Sequence, residues 1–331
     1  MRYSAVLFIA LIILLPLQAS AVTLKIATLS PDGTSWMKAF RAAAKEIKKK
    51  TEGRVKVRYY PGGVMGNDKS VLRKIKVGQL HGAAIGAGGM ADINPDTQIY
   101  ALPFTFESYD EVDQVRKKLD NMVMKMLDEK GFISYGLTEG GFAYLMSDKK
   151  ITSLKDAQSR KIWIPQGDRV NRFALEAVNI SPVPLPMTDV LTGLQTGLIN
   201  TISSPPTATI ALQWHTKVKH LTDLPVLYTY GTVAISKKAL KKVNAGDQKI
   251  ISEIFSHALN QLNKGSRSDN QKALKALQKH GIKVHKVDLE VVKTWRSKVN
   301  TAINGMTGDR ALSKDALKQI RTIMEKVRPA G

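Results

Sequence analysis

The sequence predicts an α/β protein built on an open, mostly parallel sheet with helices on its faces. Three observations carry this reading. Strand-like and helix-like segments alternate from residue 24 onward. The composition, 43% hydrophobic and 24% charged, is that of a globular chain. The length, 331 residues, suits two domains at about 100–200 residues each.

Residues 24–28 read as a strand that ends in the turn-rich loop SPDGTS. Trp36, Phe40, Ala43 and Ile47 follow at helical spacing. Val55, Val57 and Tyr59 alternate with Lys56, Arg58 and Tyr60, the pattern of a half-buried strand. After the loop PGGVMGN, Val71, Leu72 and Ile75 mark a helix, and residues 82–85 and 99–102 read as short strands. Residues 111–130 carry the stripe Val112, Val115, Leu119, Val123 and Leu127, and a strand is expected over 132–137. A strand over 161–164 closes on Pro165, Gln166 and Gly167, and Asp168 is placed to cap a helix over 169–178. SPVPLP reads as an extended connector, 189–196 as a short helix, 199–202 as a strand, and 226–230 and 232–235 as two strand pieces separated by Gly231. Residues 247–279 hold no proline and present Ile251, Phe255, Ala258 and Leu262 on one face. Such a helix would be about 50 Å long, too long for one small domain, so it is expected to brace two. Val284 lies in a short strand, and two helices marked by Val292, Trp295, Val299 and by Leu317, Ile320, Met324 complete the chain.

The N-terminal segment reads as a signal peptide over residues 1–21. Arg2 precedes an apolar run over 5–15, Pro16 ends it, and Ala19, Ser20 and Ala21 form a small-x-small cleavage site. The run is too short to span a bilayer. An exported chain beginning at Val22 is expected. The net charge of +22 is then no argument for nucleic acid, because basic residues are dispersed without interleaved aromatics. They include Lys272, Lys275 and Lys279 on one helix face, which reads as a solvated surface.

Several chemistries lack support. With no cysteine, a disulfide framework, a thiolate metal site and a thiol nucleophile are excluded. The six histidines form no H-E-x-x-H or His-x-His pair, so no metal site is expected. No G-x-S-x-G elbow is present. GAGGMA at Gly86 has Ala91 where a dinucleotide loop carries its third glycine, so no nucleotide cofactor is expected. The remaining signal is a set of loops at expected strand ends: SPDGTSW, GAGGM, LPFTF, TEGGF, WIPQGD and SSPPT. In doubly wound sheets ligands bind beyond such ends. These loops would bring Trp36, Phe104, Phe106, Glu139, Phe142, Trp163 and Ser204 toward one cleft.

The segments TLKIATLSPDGTSW, EGRVKVRYYPGGVMG, LPFTFESYDEV, EGGFAYLMSDKKITSLKDAQSRKIWIPQGD and PVPLPMTDVLTGLQTGLINT stand in this order. Together they resemble the solute-binding proteins of tripartite ATP-independent periplasmic (TRAP) transporters, of the DctP type. The resemblance covers essentially the whole mature chain. It implies a two-domain periplasmic-binding-protein type II, or Venus-flytrap, fold braced by a long helix, with the ligand in the cleft between the domains. The expected division is 22–140 plus about 232–285 in one domain and 141–231 plus about 286–331 in the other. The resemblance further implies a periplasmic location, no catalysis, and delivery of a small organic ligand to a permease of small and large membrane subunits. Some relatives also use a helical-repeat partner in the periplasm.

The departures from the family concern the substrate. Carboxylate-binding members read K-I-R-V-P where this chain reads K-I-W-I-P, so Trp163 stands at the position of the clamping arginine. Ala143 stands where a second arginine commonly follows EGGF, and Ser203, Ser204 and Pro205 replace a Q-E-N-P segment. A charge-assisted hydrogen bond is worth about 1.5–3 kcal/mol, so the family's reason to prefer organic acids is weakened. A ligand with an apolar or aromatic face against Trp163 is expected. An organic-acid binder whose positive charge is restored by Arg169 or Arg172 is the alternative, and a secreted enzyme on the same scaffold is another.

Overall fold

The computed structural model describes residues 21–306 and 312–328. Residues 1–20 of the expected signal peptide lie outside the described residues. Within them run the strands β1 Val22–Thr28, β2 Val55–Tyr60, β3 Gly82–Gly86, β4 Phe132–Ser134, β5 Thr138–Ser147, β6 Trp163–Pro165, β7 Val183–Leu185, β8 Thr201–Ser204, β9 His220–Ser236 and β10 Lys283–His285. The main sheet has the order β2-β1-β3-β9-β5-β8, with β4 and β10 also paired to β9. β6 and β7 form a separate parallel pair, tied to β8 by a bridge between Ile162 and Thr201.

The sheet is mixed, which corrects the mostly parallel expectation. β1 is parallel to β2 and β3. β9 then runs antiparallel to β3, β4 and β5, and β5 antiparallel to β8. The cause is one 17-residue strand, β9, where two pieces were expected. Gly231 does not break it. Gly231 is the residue at which pairing with β3 (Gly86) gives way to pairing with β5 (Thr138). A Cβ there would lie 2.6 Å from the Ile85 carbonyl oxygen, so glycine is required for close approach of two backbones.

TEGGF, expected as a loop, opens the ten-residue strand β5. Its register against β9 shifts between Glu139 and Gly141, and Gly141 has φ of +100° with a Cβ position 2.5 Å from Asn270 Nδ2. The glycines therefore mark a bulge packed under the long helix. The strand expected over 99–102 is instead the 3-10 turn Pro95–Ala101, started by the Asn94 side chain and Pro95.

The helices follow their stripes closely. In Ser35–Lys50 the buried residues are Met37, Phe40, Ala43 and Ile47, so Met37 takes the core position expected for Trp36. All five stripe residues of Tyr109–Glu129 are buried. Ala245–Lys279 is one helix of 35 residues capped by Asn244. Its first half seats Ile251, Phe255 and Leu259 in a core with Leu24, Phe40 and Val233. Its last turns seat Leu277 in a second core with Trp163, Trp214 and Leu221. A larger apolar cluster contains Val112, Tyr228 and Trp295. Near the C-terminus, β10 pairs with His220–Thr222 of β9, beside β5. Leu289–Gly305 packs on the helix Arg169–Glu176, and Lys314–Val327 packs on Tyr109–Glu129 and Pro95–Ala101.

Candidate functional site

A cavity of about 930 Å³ lies where the loops after β1, β3, β6 and β8 meet. Trp36, Phe104, Glu139, Trp163 and Ser204 all line it. Phe106 and Phe142 do not. Both are buried against the Tyr228 ring, at centroid distances of 5.8 and 5.9 Å, and lie behind the wall rather than on it. Arg169 is exposed at the start of its helix and is absent from the lining. Arg172 faces Glu176 at 3.9 Å. No arginine lines the cavity among the described residues.

Each lining side chain is held by its local chain. Trp36 sits at the second residue of a helix whose first turn is capped by Thr34, and its ring meets Phe40 edge-on at 5.8 Å. Phe104 has φ of +57° and its N–H donates to the Val226 carbonyl at 2.9 Å, which fixes the turn that presents the ring. Trp163 is 4% exposed, packs edge-on to Trp214 at 5.2 Å, and donates its Nε1–H to the Leu185 carbonyl at 3.0 Å. That donor is spent on β7, so Trp163 offers the cavity an apolar face. Ser204 donates to the Pro205 carbonyl.

Glu139 is 2% exposed. Its carboxylate accepts from Arg267 Nε and Nη2 and from the Tyr228 hydroxyl. Its acceptors are therefore committed to an internal network, and its part at the cavity wall is to hold the bulge of β5 against the long helix.

Residues that the sequence reading did not place at the site bring charge to the same space. Asp168, the cap of Arg169–Glu176, accepts from the Asn171 backbone and side chain and from Gln98 Nε2 at 3.2 Å. Gln98 comes from the Pro95–Ala101 turn, so this bond ties two distant segments across the cavity wall. Burial raises the Asp168 carboxyl, against those donors. Asp68 and Asp92 both line the cavity. Burial, and then the nearby Asp92 charge, push Asp68 up to about 6. Burial raises Asp92 also, opposed by Lys69 and Arg169. The sequence marks Asp168 as a helix cap, but no pattern in it marks Asp68 or Asp92, whose relevant neighbours are distant in the chain.

A carboxyl raised in the folded state binds its proton more tightly there than in the unfolded chain. Its contribution therefore favours folding at low pH and is lost as pH rises from about 4 through about 6. Asp68→Asn is expected to gain about 3 kcal/mol over the wild type at pH 8 and only about 1 kcal/mol at pH 4.5. Urea unfolding midpoints at the two pH values measure this. An equal gain at both would rule out titration of Asp68 as the cause.

Loops that follow strands on both sides of β9 in the sheet order, together with the loop after β6, thus share one cavity wall. The chain belongs to the bacterial extracellular solute-binding proteins, family 7, the DctP family, whose model matches residues 26–308. Among relatives, it is 23% identical over 253 residues to the C4-dicarboxylate-binding periplasmic protein DctP of Rhodobacter capsulatus, covering 75% of each chain. A 158-residue stretch is 26% identical to YiiZ of Salmonella typhimurium, so the chain spans about half the length of that relative (48%) and the match covers 47% of this chain. The sugar-acid-binding protein DctPAm of Advenella mimigardefordensis, solved with galactonate, has the same fold with a TM-score of 0.86 at 21% identity, covering 93% of this chain and 99% of that one. The fold is thus the two-domain periplasmic-binding type with a long bracing helix, and the family is one of TRAP solute-binding proteins rather than enzymes. Its members act in the periplasm. No helix among the described residues is long and apolar enough to cross a membrane.

Proposed function

We propose that this chain captures a small organic ligand with an apolar or aromatic face and delivers it, unchanged, to a TRAP permease of small and large membrane subunits, with a periplasmic helical-repeat protein as a further partner. In this reading the signal peptide is removed after Ala21, the two lobes divide near residues 140 and 231, and the protein performs no catalysis. Trp36, Phe104 and Trp163 supply the apolar contacts. The observation that carries it is the absence of arginine from a cavity walled by tryptophan. A carboxylate buried there would lack a bidentate partner.

Lys69 and Lys272 also line the cavity, and they support a second reading, an organic-acid binder paired by ammonium groups. DctP of Rhodobacter capsulatus is named for C4-dicarboxylates, and DctPAm was solved with galactonate. Calorimetric titration with succinate, malate, galactonate and a panel of aromatic and amphiphilic compounds separates the two. The aromatic panel is expected to contain the tighter ligands. Trp163→Ala should then cost an aromatic contact of about 0.5–1.5 kcal/mol beyond lost area, and Trp163→Arg should not tighten binding, because it adds an unpaired cation. Micromolar binding of a simple dicarboxylate would decide for the second reading.

A further inference from the structure

The cavity extends beyond the cleft. Its lining continues from the sheet-end loops into the space between the sheet and the packed helices Arg169–Glu176 and Leu289–Gly305. There the walls are Leu145, Ile162, Ala174, Val178, Val226 and Val299, all buried and apolar. Trp295 lines the same chamber, is 4% exposed, and leaves its buried Nε1–H without a hydrogen-bond partner in the protein. Its ring is tilted against Phe104 at 6.5 Å, so one aromatic pair joins the cleft to the chamber. Of the charged lining residues, Asp68 and Lys69 open the helix Asp68–Lys76, Asp92 ends Ala87–Ala91 and Lys272 stands on the long helix, while Asp168 caps Arg169–Glu176 and is engaged by Asn171 and Gln98.

We propose that this inner chamber receives the apolar tail of an elongated amphiphile, and that the Trp295 indole N–H donates to an uncharged oxygen carried on that tail. The proposal deepens the solute-binding reading and rests on it. A total volume of about 930 Å³ is at the upper end of the roughly 300–1,000 Å³ of drug-sized ligand pockets, more than a four-carbon acid fills. An apolar chamber of this kind excludes water and favours alkyl or aryl groups. A buried donor without an acceptor is disfavoured, and a neutral carbonyl or ether oxygen satisfies it without bringing a charge into apolar surroundings. The chamber ends at Leu154 and Val178, which also line an outer groove with Gln158 and Ser297. That wall limits the length of the tail.

The test uses the full mature chain, a series of 2-alkanones from butanone to decanone, and alkylbenzenes of matching length, which lack the oxygen. Affinity for both series is expected to rise about fourfold per methylene until the chamber is full. Trp295→Phe should weaken the ketones about fivefold and leave the alkylbenzenes within twofold. Ala174→Phe, which fills the chamber, should remove binding of both series. Where that variant loses its thermal transition, Val299→Phe serves in its place. Affinity that does not rise with chain length, or a Trp295→Phe effect equal in both series, would overturn the proposal. A compact polar acid released from the denatured protein, bound in a way that neither variant nor the ketones disturb, would overturn the chamber while leaving the solute-binding reading intact. Failure to bind these probes or any compound of the calorimetric panel would overturn both.

Discussion

Arg267→Ala is expected to lower the unfolding free energy by about 3–5 kcal/mol. Arg267 projects from the long helix Ala245–Lys279 over the Tyr109 ring, 4.3 Å from its centroid. Its guanidinium donates to Asp113 and, through Nε and Nη2, to Glu139. Asp113 is exposed enough to be rescued by water, but Glu139 is 2% exposed. After the substitution the buried carboxylate keeps the Tyr228 hydroxyl and its Asn263-anchored backbone, and no cation. Arg116 does not replace the lost charge directly, because it is engaged with Asp120, the Leu137 carbonyl and the Tyr228 oxygen. The penalty is that of an uncompensated buried charge rather than of a lost contact. Glu139→Gln in the Arg267→Ala background should therefore restore much of the loss, and a double-mutant cycle in urea measures the coupling. A loss below about 1 kcal/mol for the single variant would show that water reaches Glu139.

Gly231→Ala is expected to cost about 1–3 kcal/mol through overpacking. The added methyl would meet a backbone carbonyl, the Ile85 oxygen at 2.6 Å, together with the Trp36 ring at 3.3 Å. Backbone cannot swing aside as a flexible side chain can, so β3 and β9 must separate at the point where β9 changes partners. Because Trp36 lines the cavity, ligand affinity should fall along with stability. Gly265→Ala is the contrast. It lies inside the long helix with nothing within 4 Å of its Cβ position, and should gain about 0.5–1 kcal/mol. Thermal melts of the two variants measure both effects, and similar shifts in the same direction would refute the close-approach argument.

The parts of the fold that were legible in the sequence are those whose periodicity reports burial directly. Val112, Val115, Leu119, Val123 and Leu127 recur at helical spacing and are all buried. The long helix was readable because nothing interrupts it between Asn244 and His280. β9 was not, because glycine inside a strand signals a break unless the neighbouring backbone is known, and that neighbour, Ile85, is far away in the chain. β5 was hidden for the same reason, its paired glycines answering to Thr229 and Asn270. At the site, Trp36, Phe104 and Trp163 were readable as aromatics in loop-rich segments, whereas Phe106 and Phe142 share that signature and turn to the core. Residue type alone does not separate a ring on a cavity wall from one behind it. Asp68, Gln98 and Trp295 gain their interest only from tertiary neighbours, which no local pattern records.

The 17 residues of β9 also bear on how such a protein can change over time. Residues 220–230 complete the sheet beside β5 and β10, and residues 231–236 complete it beside β3 and β4. A gene fragment ending before β9 would leave β3 with an open edge, a row of unpaired N–H and C=O groups that invites association with other chains. A fragment beginning at β5 would carry β9 but leave its final residues unpaired on that side. Neither half is therefore an interchangeable module. New specificity in this chain is expected to arise by substitution in the cavity wall and length change in the sheet-end loops, not by recombining one lobe with another.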